Sequence, residues 1–517
     1  MLSKAAGSSI GKQPKEEVIP SILCRPAILR KEGDRSDPCV PWGERKVQAR
    51  WGMTRLTFPR AMNNRAEMRQ RSLTTENTVF VLLCFEGADP YSLAGGLGVR
   101  VTNLSQTLAR VGFHTHAFFV GDPKLKGEER TKDERLMLHR WCQWISEYYP
   151  GGVYEGENEK LYDFNESLPG FVTEQIIKPA LAQDKVVVIL GEEWHTAEAM
   201  CRISDLLHSD GLRDRVVMFW NANNTYGFDR IHWQRLNYAT TITTVSRYMK
   251  HIMWKMGLNP LVVPNGIPKS LLRKIDDDQV AEAKDALGTD LILFKMARWH
   301  PDKRWNTAIE ATIRLKEMGL RTVLVARGGI EPYGDEVAQN ARSLGLTVRE
   351  ARAKSPSFND QLCAFREAAP ADVIDVKFHL PADSSRVLYR AADGVLANSG
   401  HEPFGIVGLE AMAAGGIAYT GCTGEDYAIP FVNSFVLQTD DPWEIIGYVT
   451  YLRESPEEGG RMRKAARHTA RQFTWESAVQ NLVNKLRNQA RIQGILAGHA
   501  KPAPLPLFEV EEEGPQI

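Results

Sequence analysis

Strand-like and helix-like segments alternate along this chain in two successive series, and that pattern limits its architecture more than anything else. The first series opens with Val79–Phe85, an apolar run rich in β-formers. A glycine-containing loop follows, then a stretch whose Val101, Leu104, Leu108 and Val111 fall on one helix face. Strand-length segments recur at His114–Val120, Lys185–Leu190, Val216–Trp220, Thr240–Val245 and Leu261–Val263. The turn residues of Pro264-Asn-Gly-Ile-Pro268 then break the pattern. A second series runs through Leu291–Met296, Thr322–Ala326, Val376–Leu380, Gly394–Ala397, Gly416–Tyr419 and Phe435–Leu437. Alternation of this kind requires crossover connections, and so parallel sheets covered by helices on both faces. The expected fold class is α/β: two Rossmann-like, doubly wound domains, 76–268 and 269–473, facing across a cleft. A helix over Trp475–Arg491 closes the ordered part, within a segment 474–496. Ligands of such sheets bind at the carboxyl ends of the strands.

Composition narrows the function classes. The 64 basic residues balance the 64 acidic ones, and nucleic-acid surfaces normally need a basic excess. No apolar run approaches the ~18 residues of a membrane span, so a soluble chain is expected. Seven cysteines (24, 39, 84, 142, 201, 363 and 422) show no Cys-x-x-Cys spacing, which suits reduced thiols and a cytoplasmic location. Residues 1–75 hold 15 basic against 7 acidic residues without helix or strand period, and read as a disordered extension. An over-long start, with the true beginning near Met53, Met62 or Met68, is the alternative expectation for this segment. The Pro-rich, then acidic, tail 497–517 also reads as disordered.

Five stretches bear on candidate chemistry. The loop Ala94-Gly95-Gly96-Leu97-Gly98 lies between the first strand and first helix, where free amides can meet an anion. Arg298 and Lys303 follow the first strand of the second series, and two cations five residues apart suit a diphosphate. Solvated loop charges, with Asp302 as a helix N-cap, account for that pair equally well. In His401-Glu-Pro-Phe-Gly-Ile-Val-Gly-Leu-Glu410, a loop carries Glu402 and a helix beginning near Ile406 carries Glu410. The amides of Phe404 and Gly405 open that helix and present its dipole to an incoming anion. Two carboxylates placed so would accept hydrogen bonds from two sets of hydroxyls. Finally, His195 lies in a loop after the strand Lys185–Leu190, and His114-x-His116 shares one strand face. The latter pair reads as ordinary strand residues, and no metal site is expected.

The string Glu402-Pro-Phe-Gly-Ile-Val-Gly-Leu-Glu410 resembles the Glu-x7-Glu signature of retaining nucleotide-sugar glycosyltransferases of the GT-B fold. That group includes glycosyltransferase family 4 and the glycogen and starch synthases. Gly95-Gly96-Leu97, Glu193-Trp194-His195-Thr196, Thr244-Val245-Ser246, Val263-Pro264-Asn265-Gly266-Ile267 and the Arg298/Lys303 pair resemble further landmarks of the group, in its order. The likeness covers about residues 76–490.

The resemblance implies roles for these residues. Arg298 and Lys303 would hold the diphosphate and stabilise the leaving group. Glu410 would bind ribose hydroxyls, and Glu402 the transferred sugar, beside the amides of Phe404 and Gly405. Gly95 and Gly96 would approach the phosphates, and His195 the reacting carbon. It implies no cofactor and no metal, with UDP- or ADP-glucose as the sugar donor and GDP-mannose as the alternative. The acceptor, a carbohydrate or other small molecule, would meet the first domain around Trp141–Tyr162 and Trp220–Trp233. Two departures favour a family 4-like transferase over a true glycogen synthase: Leu93-Ala94 where the synthases carry Lys-Thr, and Glu193 where they carry Asp. The rival readings are a disaccharide synthase or phosphorylase on the same scaffold, and a nucleotide-sugar-binding protein without activity. A sugar-nucleotide epimerase is disfavoured by the Glu-x7-Glu string.

Overall fold

The computed structural model describes residues 72–132 and 134–496. The expected extension 1–75, save its last four residues, and the tail 497–517 lie outside them.

Among the described residues, fifteen strands form two sheets. The first contains Thr78–Leu83 (β1), His114–Val120 (β2), Glu128–Arg130 (β3), Leu136–Trp141 (β4), Val186–Glu192 (β5), Val216–Ala222 (β6), Thr241–Thr244 (β7) and Leu261–Val262 (β8). Its order is β3-β4-β2-β1-β5-β6-β7-β8, parallel except for the β3–β4 pair. The second contains Leu291–Met296 (β9), Thr322–Arg327 (β10), Val348–Ala351 (β11), Val373–Val376 (β12), Gly394–Ala397 (β13), Ala418–Thr420 (β14) and Phe435–Val436 (β15). Its order is β11-β12-β10-β9-β13-β14-β15, and all of its pairs are parallel. Strands β1, β5 and β6 are buried along their whole length, as a sheet sandwiched by helices requires.

Each sheet reverses its strand order once, between β1 and β5 in the first and between β9 and β13 in the second. At such a switch point the loops leaving the two neighbouring strands splay to opposite faces and open a crevice. Four loops matter here: those after β1, β5, β9 and β13.

Two chain crossings join the lobes side by side. The amide of Ile267 donates to the Phe473 carbonyl at 2.8 Å, and the Trp475 amide donates back to the Ile267 carbonyl at 3.1 Å. Gly266 sits so close to this pairing that a Cβ there would lie 2.5 Å from the Trp475 amide nitrogen. Glycine alone fits that approach. After the second crossing the helix Trp475–Ile492 returns to the first lobe. Its Val479, Leu482 and Leu486 pack with Val101, Leu104 and Leu108 of the helix Gly96–Val111. The last helix of the described residues thus completes the first core. No helix among the described residues is long and apolar enough to cross a membrane.

Three strands were absent from the sequence reading (β3, β4 and β11), and β12 lies three residues before the expected Val376–Leu380. In β4, His139 and Arg140 interrupt the apolar pattern, yet Arg140 is buried because Asp89 accepts from its Nε and Nη2 at 2.8 and 2.9 Å. In β12, Asp375 is buried beside Lys377 at 2.6 Å. Both strands bury charge that only a tertiary partner makes tolerable. Glu128–Arg130 and Val348–Ala351 are edge strands whose polar residues face outward.

Candidate active site between two switch points

Two adjoining cavities, about 630 and 1410 Å³, lie between the four loops. Arg298, Lys303, Glu402, Gly405, Gly96 and His195 line both. Phe404 and Glu410 line the larger, and Gly95 the smaller. The sequence candidates, more than 300 residues apart along the chain at their extremes, thus converge on one place.

The second-lobe wall is cationic. Lys303 Nζ lies 2.6 Å from Glu402 Oε2. Among the described residues no carboxylate reaches the exposed Arg298 guanidinium, while its carbonyl accepts from Trp305 Nε1 at 3.0 Å and fixes the loop. Asp302 does not cap the following helix. His300 caps the short turn Pro301–Lys303, Arg304 enters the helix in a left-handed conformation, and Asp302 accepts from the His401 amide at 3.2 Å. This bond ties the loop after β9 to the loop after β13. The helix Ile406–Ala413 begins at Gly405, whose φ of 68° a side chain would strain. No acceptor among the described residues takes the amides of Phe404 and Gly405, so they remain open with the helix dipole behind them. Glu410 is half-buried and accepts from Tyr389 Oη at 3.1 Å. Burial pushes its carboxyl up to about 7 against the pull of that phenol.

One residue of this wall escaped the sequence reading. Lys295, in β9, is 1 % exposed, yet it lines the smaller cavity. Its ammonium donates to the Leu396 carbonyl at 3.2 Å and to Asn398 Oδ1, and lies 5.2 Å over the Trp305 ring. Burial, then the neighbouring Lys303 and Arg304, brings it down to about 7, with Glu402 opposing. The apolar strand pattern around Lys295 disguised it as an exposed residue.

The first-lobe wall differs in kind. Glu86, 4 % exposed, accepts from the amides of Gly95 and Gly98 at 2.9 Å each, and from Tyr154 Oη at 2.5 Å. Two amides of the expected glycine-loop anion site are therefore already engaged, and those of Gly96 and Leu97 meet no acceptor among the described residues. His195 is sandwiched between Phe85 and Trp194, with centroids 4.3 and 3.8 Å away. Burial lowers it to about 4, so the neutral ring donates from Nε2 to Glu157 Oε1 at 2.8 Å, and Nδ1 has no partner. Glu193 accepts at Oε1 from the amides of Asn223 and Asn224 at 2.6 and 3.1 Å. Its backbone stands at φ 67°, ψ 167°, a region left almost entirely to glycine, and strain of this sort gathers at functional sites. Burial lifts its carboxyl to about 8, against the pull of those amides. Of the aromatics in 141–162 and 220–233, Tyr154 and Tyr226 line the cavities, whereas Trp233 packs against Trp220 and Phe228. His116 bonds to His139 at 2.9 Å rather than pairing with His114. No group of three His, Cys, Asp or Glu side chains among the described residues is arranged to hold a metal.

Comparison with known proteins bears on the fold and on the second lobe. Residues 276–469 match the family model described as glycosyl transferases group 1. Sucrose-phosphate synthase from Thermosynechococcus elongatus superposes with a TM-score of 0.57 at 15% identity, over 80% of this chain and 100% of that one. The catalytic domain of starch synthase IV from Arabidopsis thaliana, bound to ADP and acarbose, gives 0.57 at 16%, over 80% and 99%. Anabaena HepE in complex with UDP and glucose gives 0.52 at 13%, over 79% and 99%. At these identities the likeness establishes the fold, which is GT-B. No curated protein matches the sequence.

Proposed function

We infer that this chain, a group 1 glycosyltransferase by its second lobe, moves a hexosyl group from a nucleoside diphosphate sugar to an acceptor hydroxyl with retention at the anomeric carbon. One observation carries the reading. The Arg298, Lys303, Glu402 and Glu410 side chains and the open helix start at Phe404–Gly405 line a common cavity at the carboxyl ends of β9 and β13. Two fixed cations and unpaired amides stabilise a diphosphate better as it leaves than while it is still esterified, because its charge grows as the bond breaks. The anomeric carbon–phosphate oxygen bond breaks, the acceptor oxygen bonds to that carbon on the same face, and the acceptor proton passes to the departing phosphate oxygen. Glu402 orients the sugar and Glu410 the ribose. UDP- or ADP-glucose is the proposed sugar donor; complexes of the relatives with ADP, and with UDP and glucose, support that choice. The mechanism asks nothing of a metal, since Arg298, Lys303 and the helix amides supply the positive charge.

The test is a panel of nucleotide sugars incubated with the purified chain, reading released nucleoside diphosphate with and without a chelator. Release with at least one glucosyl nucleotide, unchanged by the chelator, is expected. No release and no binding across the panel would defeat the reading.

A further inference from the structure

The geometry points to an uncharged, polyhydroxylated acceptor, a free sugar or polyol rather than a sugar phosphate, with Glu86 as the residue that enforces the choice. The inference rests on the transferase reading above and concerns the opposite wall of the same cavity.

Every cation lining the 630 Å³ cavity (Lys295, Arg298 and Lys303) comes from the second lobe. The first lobe contributes the Glu86 carboxylate, the Glu193 carboxyl that burial lifts to about 8, and no cation. Of the first-lobe cations that line the larger cavity, Arg100 is committed to Glu192 at 3.0 Å and to Asn265, and Arg230 lies 4.6 Å over the Trp194 ring. A phosphate on the acceptor would need a cation or a free helix start. The helix start on this side has its Gly95 and Gly98 amides on Glu86, so a second anion there would sit against a fixed negative charge.

The same wall suits hydroxyls. Glu86 and Glu193 are rigidly held acceptors, one by two amides and a phenol, the other by two amides at a strained backbone. Three buried polar atoms of cavity-lining residues have no partner: Trp194 Nε1, which only donates, Asn223 Oδ1, which only accepts, and His195 Nδ1. Buried polar atoms normally find partners. A hydroxyl both donates and accepts, so a polyol can serve the Glu86 and Glu193 carboxyls of this wall where an anion cannot. Tyr154 and Tyr226, 42 % and 65 % exposed, add ring faces for the apolar side of a sugar.

The experiment supplies the full chain with its sugar donor and matched acceptors: glucose against glucose 6-phosphate, fructose against fructose 6-phosphate, with glycerol and maltotriose as further neutral probes. Nucleoside diphosphate release above the acceptor-free rate gives kcat/KM. The neutral member of each pair should exceed its phosphate ester by about tenfold or more, the size of one unfavourable charge contact. Glu86→Gln keeps an acceptor oxygen for Gly95 and Gly98 but drops the charge, and should narrow that ratio at least about threefold. Preference for a phosphorylated member, failure of every neutral probe to raise release, or an unchanged ratio in Glu86→Gln would overturn the inference. Binding of the nucleotide sugar is measured separately by calorimetry. Its loss would defeat the transferase reading itself, whereas its persistence alongside a reversed acceptor order would defeat the acceptor inference alone.

Discussion

The two lobes share a strand order around their switch points and present opposite chemistry to the cleft. Behind β9 and β13 stand three basic side chains and an uncapped helix; behind β1 and β5 stand two carboxyl side chains and a helix start with two of its amides already satisfied. The same strand–loop–helix turn can thus offer an anion a seat or deny it one, depending on whether a side chain such as Glu86 gets there first. A Rossmann-like turn predicts where ligands sit, but not their charge.

The sharpest way to break the contrast is to remove a second-lobe cation. Arg298→Ala and Lys303→Ala should each lower turnover by at least ~100-fold, the usual loss when one contact to developing charge disappears. Acceptor KM should stay within about twofold if the lobes divide their labour as described. Steady-state kinetics with each substrate varied separately would decide it. Lys303 carries a further expectation, because its loss leaves Glu402 without its 2.6 Å partner in a cavity meant for an anion.

How far the sequence disclosed the site follows the same divide. The second-lobe residues stand in two short strings, 298–303 and 402–410, each beginning where an apolar strand ends, and local pattern was enough to find them. Strands β2, β9 and β13 matched their expected limits for a similar reason, as short apolar runs bounded by polar loops. The first-lobe wall is assembled from Glu86, Tyr154, Glu193 and Asn224, which no local period connects. Glu86 stood at the end of a recognised strand, but only the fold reveals that it reaches nine residues ahead to cap Gly95. Lys295 was hidden because a lysine within a strand normally marks a solvent-facing position. Its burial depends on Leu396 and Asn398, a hundred residues away.

Lys295 permits a second, smaller test. An ammonium brought down to about 7 is half neutral near physiological pH. Bound diphosphate favours the charged form, so affinity for the sugar donor should be highest below pH 7 and weaken as pH rises past it. A fall of about five- to tenfold between pH 6 and pH 8.5 is expected, since one pKa unit corresponds to a factor of ten. Lys295→Met should flatten that dependence. Glu410 titrates in the same range with the opposite sign, since its ionised form is the better acceptor for ribose hydroxyls, so a rise in affinity with pH uncovered in Lys295→Met is its share, and Glu410→Gln should remove it. Calorimetric titration across pH is the measurement, and an equal slope in wild type and Lys295→Met would free Lys295 from any part in binding.

The smallest effect concerns how Glu410 is kept charged. Tyr389 is buried so deeply that its phenol is driven far above its ordinary range and stays protonated, leaving it to donate to Glu410 Oε2. That bond favours the carboxylate over the acid and works against the burial that raises Glu410 to about 7. Removing it with Tyr389→Phe raises the carboxyl further, so at pH 7 a larger share of Glu410 is protonated and serves less well as an acceptor for ribose hydroxyls. The KM for the sugar donor should rise two- to threefold at pH 7, in keeping with the ~0.5–1 kcal/mol net value of one neutral hydrogen bond. By pH 9 both proteins hold an ionised Glu410 and the gap should close. A gap that persists at pH 9 would mean that Tyr389 acts by positioning Glu410 rather than by setting its charge. Equal KM values throughout would mean that Glu410, though it lines the cavity, does not touch the nucleotide.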